Sequence, residues 1–167
     1  MRLFRKVLLA TLWSVALAIP AEVRADLLGD GLAACGRGDF STAISLLRPL
    51  AEAGNPDAQH CLGVMYFFGK GVEKDYAEAS RWLTPSAKQG NGVSQDLLGV
   101  SYAYGLGVAR DWIRAYVWLS LAVSNGGVVG ADRLRDFIGT RLLTTVQVTE
   151  AKELAQKCLA SNYSQCE

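Results

Sequence analysis

The sequence is organised around one heptapeptide that occurs twice, as GKGVEKD at residues 69–75 and as GLGVARD at residues 105–111. The two copies lie 36 residues apart, and the residues around them recur at the same offset. The flanking matches are Leu62 with Leu98, Gly63 with Gly99, Tyr66 with Tyr102, Ala79 with Ala115, Trp82 with Trp118, Leu83 with Leu119 and Gly90 with Gly126. A period of this length predicts an array of helix pairs in which each pair packs on its neighbours.

The repeated heptapeptides predict loops of fixed geometry rather than a chemical site. Glycines suit backbone with positive φ, a valine can pack into the core, and an aspartate can accept the free amides at a helix start. The residues to which we assign these roles are Gly69, Gly71, Val72 and Asp75 in one loop, and Gly105, Gly107, Val108 and Asp111 in the other.

The period predicts an all-α fold with a repeat array over residues 26–127. The repeats are expected at 26–54, 57–90 and 93–126, and the first is degenerate because its turn is shorter. We name the first helix of each repeat helix A and the second helix B. Pro49 and Pro85 fall inside successive B helices, where proline bends the axis. Residues 128–167 predict a closing helix pair, near 131–143 and 148–159, with Thr149 as a cap.

The N-terminus predicts export. Arg2, Arg5 and Lys6 precede an apolar run of 13 residues, and small or apolar residues lead up to Ala25. This is the pattern of a cleaved signal peptide over residues 1–25, with a cut after Ala21 as a second option. An uncleaved anchor or a buried helix is the alternative, although 13 residues are too few to cross a bilayer comfortably. We therefore predict a periplasmic or secreted protein without stable membrane insertion after cleavage.

The charge balance indicates which partners to exclude. The chain has a net charge of +1, and the leader contains four basic residues against one acidic residue, so its removal leaves −2. Such a balance provides no electrostatic footprint for nucleic acid or for an anionic membrane surface.

Four cysteines follow the leader, and disulfides persist in an exported chain. We favour a Cys158–Cys166 bridge, because the polar segment 161–165 can turn back toward the last helix. We disfavour Cys35–Cys61, because parallel A helices would place these residues at opposite ends. A buried, unpaired Cys61 is the alternative for that residue.

The pattern A-x-x-x-L-G-x-x-Y-x-x-G-x-G-V-x-x-D-x-x-x-A-x-x-W-L, which starts at Ala58, resembles a Sel1-like repeat. The next repeat departs from it at Ser94, which replaces the opening alanine. This family is related to the tetratricopeptide repeats. The resemblance implies a right-handed α/α superhelical solenoid that serves as a scaffold for protein–protein contacts, often in the periplasm or outside the cell. Cysteine pairs within each repeat, found in one secreted branch, do not fit the cysteine positions here.

Candidate catalytic groups are sparse. His60 is the only histidine, and no serine has a lysine three residues later, the spacing that β-lactam chemistry usually uses. The cysteine spacings match no zinc site. We therefore predict no catalytic, cofactor-binding or metal-binding residues. A small cell-wall-directed or β-lactam-interacting enzyme is the alternative function.

The predicted partner site lies on the A helices, which the resemblance places on the concave side. Leu62 and Tyr66 share the face that packs into the core, so the opposite side of the helix faces the groove. The predicted partner-binding face consists of His60, Val64, Phe67 and Phe68 in one repeat, and Asp96, Val100, Ala103 and Tyr104 in the next. We expect Phe67 to be an exposed anchor for a protein or peptide partner of unknown identity; packing of Phe67 and Phe68 under a neighbouring helix is the alternative. We expect the chain to be a monomer, and a subunit that is stable only inside a larger complex is a further possibility.

Overall fold

A computed structural model describes residues 20–166, so most of the predicted signal peptide lies outside the described residues. Within them the chain forms eight α-helices and no β-strand, which confirms the predicted fold class. The helices are α1 (Ala21–Arg37), α2 (Phe40–Glu52), α3 (Pro56–Phe68), α4 (Tyr76–Ala87), α5 (Gly92–Tyr104), α6 (Trp112–Ser124), α7 (Ala131–Arg141) and α8 (Thr145–Ala160). Helices α1, α3 and α5 are the A helices, and α2, α4 and α6 are the B helices.

Helix starts in the array are fixed by side chains that repeat every 36 residues. Asp39, Asp75 and Asp111 cap the three B helices by accepting amide hydrogen bonds from the first turn. Asn55 and Asn91 cap α3 and α5 in the same way. Because each cap satisfies amides that would otherwise lack a partner, the sequence itself sets where each helix begins.

Each A helix packs closely on the B helix of its own repeat. A Cβ at Gly63 would lie 2.6 Å from the Leu83 side chain, and a Cβ at Gly99 would lie 2.7 Å from that of Leu119. This repeated close approach explains why glycine stands in the interior of two helices, where it costs about 1 kcal/mol relative to alanine. Pro49 and Pro85 lie inside α2 and α4, as predicted.

The A helices of successive repeats approach one another more closely than the B helices do. Helix α1 contacts α3, and α3 contacts α5, whereas contacts between successive B helices are sparser in the described part of the chain. Helices that approach each other on only one side of a stack place that side on the inside of the curve. The inner surface is therefore built from α3 and α5, with α1 at its start.

The last two helices pack on the final repeat. Helices α7 and α8 both contact α6, and Ile138 and Ala151 are fully buried in the same apolar cluster as Trp118. The predicted cap of α8 was wrong by five residues, because Thr144 rather than Thr149 caps the helix and forms a capping box with Gln147.

Two disulfides, Cys158–Cys166 and Cys35–Cys61, join the four cysteines. The expectation against Cys35–Cys61 was wrong, because it assumed the 36-residue register for α1. Gly31 packs against Leu47 as Gly63 packs against Leu83, so α1 is shifted by four residues relative to that register. The shorter turn of the degenerate repeat therefore moves Cys35 one helical turn closer to Cys61.

Candidate partner-binding face

The exposed part of the predicted partner-binding face lies at the C-terminal ends of α3 and α5. Phe68 is 51% exposed and Tyr104 is 63% exposed, and the two occupy the same position in successive repeats. Val64 and Val100, one turn earlier, are half-buried. The inner surface thus combines two exposed aromatic rings with two partly accessible valines.

Phe67 is not an exposed anchor, and that prediction was wrong. Its side chain is only 7% exposed, with ring centroids 5.0 Å from Phe68 and 5.1 Å from Tyr76. It belongs to an apolar cluster that includes Leu97 of the next A helix. The alternative, packing under a neighbouring helix, holds for Phe67 but not for Phe68, because the stacked repeat covers only the Phe67 side of α3.

The residues of α5 at the positions equivalent to His60 and Phe67, 36 residues later, are also largely covered. Ala103 is buried, and Asp96 is only 9% exposed. Burial raises the pKa of the Asp96 carboxyl above its ordinary value, because the charged form is less well solvated there. Asp96 and Ala103 therefore contribute little accessible surface to a groove.

His60 takes part in a polar contact between repeats. Its Nδ1 lies 3.0 Å from Oγ of Ser94, and Ser94 Oγ lies 2.9 Å from Oγ of Ser86. The Ser86 hydroxyl in turn lies 2.8 Å from the carbonyl oxygen of Pro56, to which it can donate. Burial lowers the pKa of His60 below its ordinary value, although nearby Asp57 acts in the opposite direction. Both serines are fully buried, so these hydroxyls join helices rather than face a substrate.

A second polar motif joins the repeats, and the sequence analysis missed it. Gln95 donates from Nε2 to the carbonyl oxygen of Ala87 at 3.0 Å, and its Oε1 accepts from Asn125 at 2.8 Å. Gln59 makes the equivalent bonds with Ala51 and Gln89. The available signal was the recurrence of glutamine at 59 and 95 at the repeat spacing. Each buried amide ties three successive helices together.

The two glycine loops have the predicted geometry. The φ angles are +69° and +70° at Gly69 and Gly71, and +70° and +69° at Gly105 and Gly107. Each loop returns to its own A helix, with the Asp75 amide donating to Tyr66 and the Asp111 amide donating to Tyr102. Val72 and Val108 are half-buried below the loops. The roles that these residues fill are structural.

The described residues contain no group of three or more His, Cys, Asp or Glu side chains placed to hold a metal ion. Between residues 20 and 166, every helix is too short or too polar to cross a membrane. The inner surface and the loops present exposed aromatic rings, half-buried valines and charged side chains.

Stacked helix pairs, two of which have the same glycine loop between their helices, define an α/α solenoid protein. A family model described as the Sel1 repeat matches residues 24–55, 56–91 and 92–127. The chain belongs to the Sel1 repeat family, which confirms the resemblance. A comparison with curated protein sequences gave no match.

Solved structures support the same fold. One is c5321 of uropathogenic Escherichia coli, described as a protective antigen with an SLR fold, at a TM-score of 0.74 and 29% identity over 84% of this chain. This chain spans only 32% of that structure's length. A second is a Sel1 repeat protein from Oxalobacter formigenes, at a TM-score of 0.53 and 32% identity, covering 65% of this chain and 96% of its own.

Proposed function

We propose that this protein is an exported, non-catalytic interaction module that binds a protein or peptide partner on the inner surface of α3 and α5. The observation that carries the proposal is the pair Phe68 and Tyr104, two exposed aromatic rings at the same position of successive repeats. Aromatic side chains dominate the binding energy of protein interfaces, and rigid helices hold these two in place.

The family relationship supports the same conclusion. Sel1 repeats are typical protein-interaction scaffolds, and an array of packed helix pairs offers an extended inner surface for contact. An enzyme remains the alternative function. It finds little support, because the histidine–serine contact at His60 depends on the buried hydroxyls of Ser94 and Ser86.

Export is part of the proposal. The basic and apolar leader in the sequence is typical of a signal peptide, and the two disulfides fit an oxidising compartment. We expect the native protein to begin at Asp26, or at Glu22 if the second site is used. Mass spectrometry of the protein purified from its own cells tests this, and an N-terminus at Met1 would contradict export.

Site-specific photocrosslinking tests the binding surface. A benzophenone side chain is placed at Tyr104 in one strain and, as a control, at Arg81 on α4, whose side chain is 73% exposed. We expect a discrete adduct with one partner from Tyr104 and none from Arg81. The inner-surface assignment is wrong if the adduct forms from Arg81 alone, and the interaction function is wrong if neither position yields an adduct in cells that express the chain at its native level.

A further inference from the structure

Every B helix of the array begins with an aromatic residue. Phe40, Tyr76 and Trp112 are the first residues of α2, α4 and α6, and they recur every 36 residues. All three rings are half-buried. One side of each ring packs against an apolar cluster of the core, and the other side stays accessible to solvent.

The glycine loops join these aromatic residues into one edge. A Cβ at Gly71 would overlap Phe40, and a Cβ at Gly107 would overlap the carbonyl group of Tyr76. Each loop therefore lies directly on the start of the preceding B helix. Phe40, loop 69–75, Tyr76, loop 105–111 and Trp112 form a continuous surface, which we call the loop edge.

Cationic groups lie over aromatic rings along the loop edge. Lys74 Nζ is 5.8 Å from the centroid of Tyr76, and the Arg110 guanidinium is 5.3 Å from the centroid of Trp112. These two pairs are themselves 36 residues apart. Lys70 lies 5.6 Å from the ring of Phe68 at the end of α3. Such contacts hold a flexible cation near one position while leaving it accessible to solvent and to an anion.

The loop edge contains three basic residues and three acidic residues, Glu73, Asp75 and Asp111, so its formal charges cancel. Lys70, Lys74 and Arg110 are exposed. The carboxylates of Asp75 and Asp111 are directed to the amides of the helices that they cap. Glu73 and Asp75 are exposed as well, but the positive end of each helix offsets part of the charge on the carboxylate that caps it. The three exposed cations are therefore less fully offset than the capping carboxylates, so an acidic partner complements this edge better than a basic partner does.

We propose that the loop edge binds an acidic peptide segment of the partner that also carries aromatic or apolar side chains. The proposal rests on the proposed interaction function and specifies the chemistry of the partner. Carboxylates would pair with Lys74 and Arg110, and apolar side chains would pack on the exposed rings of Phe68 and Tyr104, which lie at the entrance to the two loops.

A synthetic peptide supplies the test. The probe is a fluorescein-labelled 12-residue peptide of alternating Glu and Phe, and the comparison peptide has Lys in place of every Glu. Fluorescence anisotropy measures the Kd of each peptide for the purified, disulfide-bonded chain at low and high salt. We expect binding of the Glu peptide that weakens as salt rises, and no measurable binding of the Lys peptide. Equal binding of both peptides, or binding of neither, would overturn the proposal.

A matched pair of charge reversals locates the contact. Lys74→Glu combined with Arg110→Glu is compared with Lys152→Glu combined with Lys157→Glu, which makes the same charge change at two exposed residues of α8. We expect the first pair to weaken Glu-peptide binding by about 10-fold or more and the second by less than about twofold. Similar losses from both pairs would overturn the proposal. Thermal melting checks that both variants are folded, and glutamine at 74 and 110 replaces glutamate if the first pair melts early.

The two proposals fail in different ways. If the partner crosslinked from Tyr104 is captured equally by the Lys74→Glu and Arg110→Glu variant, the interaction function stands and the loop-edge inference falls. If that variant loses the partner while the α8 control keeps it, both are supported.

Discussion

Alanine at Gly107 should damage the array far more than alanine at Gly105, two residues away in the same loop. The two glycines have nearly the same φ, +69° and +70°, so the backbone penalty of a side chain is the same at both. Their surroundings differ. A Cβ at Gly107 would overlap the Tyr76 carbonyl and lie 2.5 Å from the backbone nitrogen of Ala77. A Cβ at Gly105 would have its nearest neighbour, Cβ of Arg110, at 3.6 Å, which is ordinary contact.

The magnitudes follow from these contacts. A non-glycine residue at positive φ costs roughly 1–2 kcal/mol, and this cost applies to both substitutions. Gly107→Ala adds a clash with backbone atoms, which cannot rotate away as a side chain can, and such overpacking costs about 1–3 kcal/mol more. We therefore expect Gly105→Ala to lower the free energy of unfolding by about 1–2 kcal/mol and Gly107→Ala by about 2–5 kcal/mol.

Urea denaturation followed by circular dichroism measures both values in the disulfide-bonded chain. Gly105→Asn is a useful control, because asparagine tolerates positive φ better than alanine and should cost less. Equal losses of stability at positions 105 and 107 would refute the reasoning, because they would mean that the second loop does not lie against the start of α4.

Three further predictions concern buried groups. Phe67→Asp should unfold the chain or cost more than about 3 kcal/mol, whereas Phe68→Asp, at an exposed ring, should change stability by less than about 0.5 kcal/mol; thermal melting distinguishes them. Removing the Cys158–Cys166 bridge with serines should cost up to about 2.5 kcal/mol in the chain-entropy model, measured by urea denaturation, and no loss would show that the bridge is absent. Burial lowers the pKa of His60 below 6.5, so near that pH the unfolded chain binds more protons than the folded chain, and stability should fall as the pH drops below about 6.5. In melting curves recorded at several pH values, His60→Gln should make the melting temperature depend less on pH. An unchanged pH dependence would contradict the burial of His60 as its cause.

The 36-residue period was sufficient to predict the helix pairs of the second and third repeats, because the positions that control their packing recur with it. Gly63 and Gly99 pack against leucines, the loop glycines have positive φ, and aspartates cap the B helices. These are local requirements, and each is met by a residue type that few others can replace. Such requirements can be read from one sequence.

The candidate site was less predictable, because burial depends on neighbours that the period does not describe. Phe67 is covered both by Tyr76 of its paired helix and by Leu97 of the next repeat, and how closely that repeat approaches cannot be read from the period. Cys35 was misplaced because the degenerate repeat changes the register by one turn. The buried hydrogen bonds of Gln59 and Gln95 were missed because a glutamine in a helix usually indicates a solvated face.

Hydrogen–deuterium exchange is the most direct test of the proposed contact between a protein partner and the inner surface of α3 and α5. It compares this chain alone with its complex with the partner that is crosslinked from Tyr104. We predict that the strongest protection on binding falls in the peptides that cover residues 56–68 and 92–104. Protection confined to the B helices, or to α7 and α8, would contradict it.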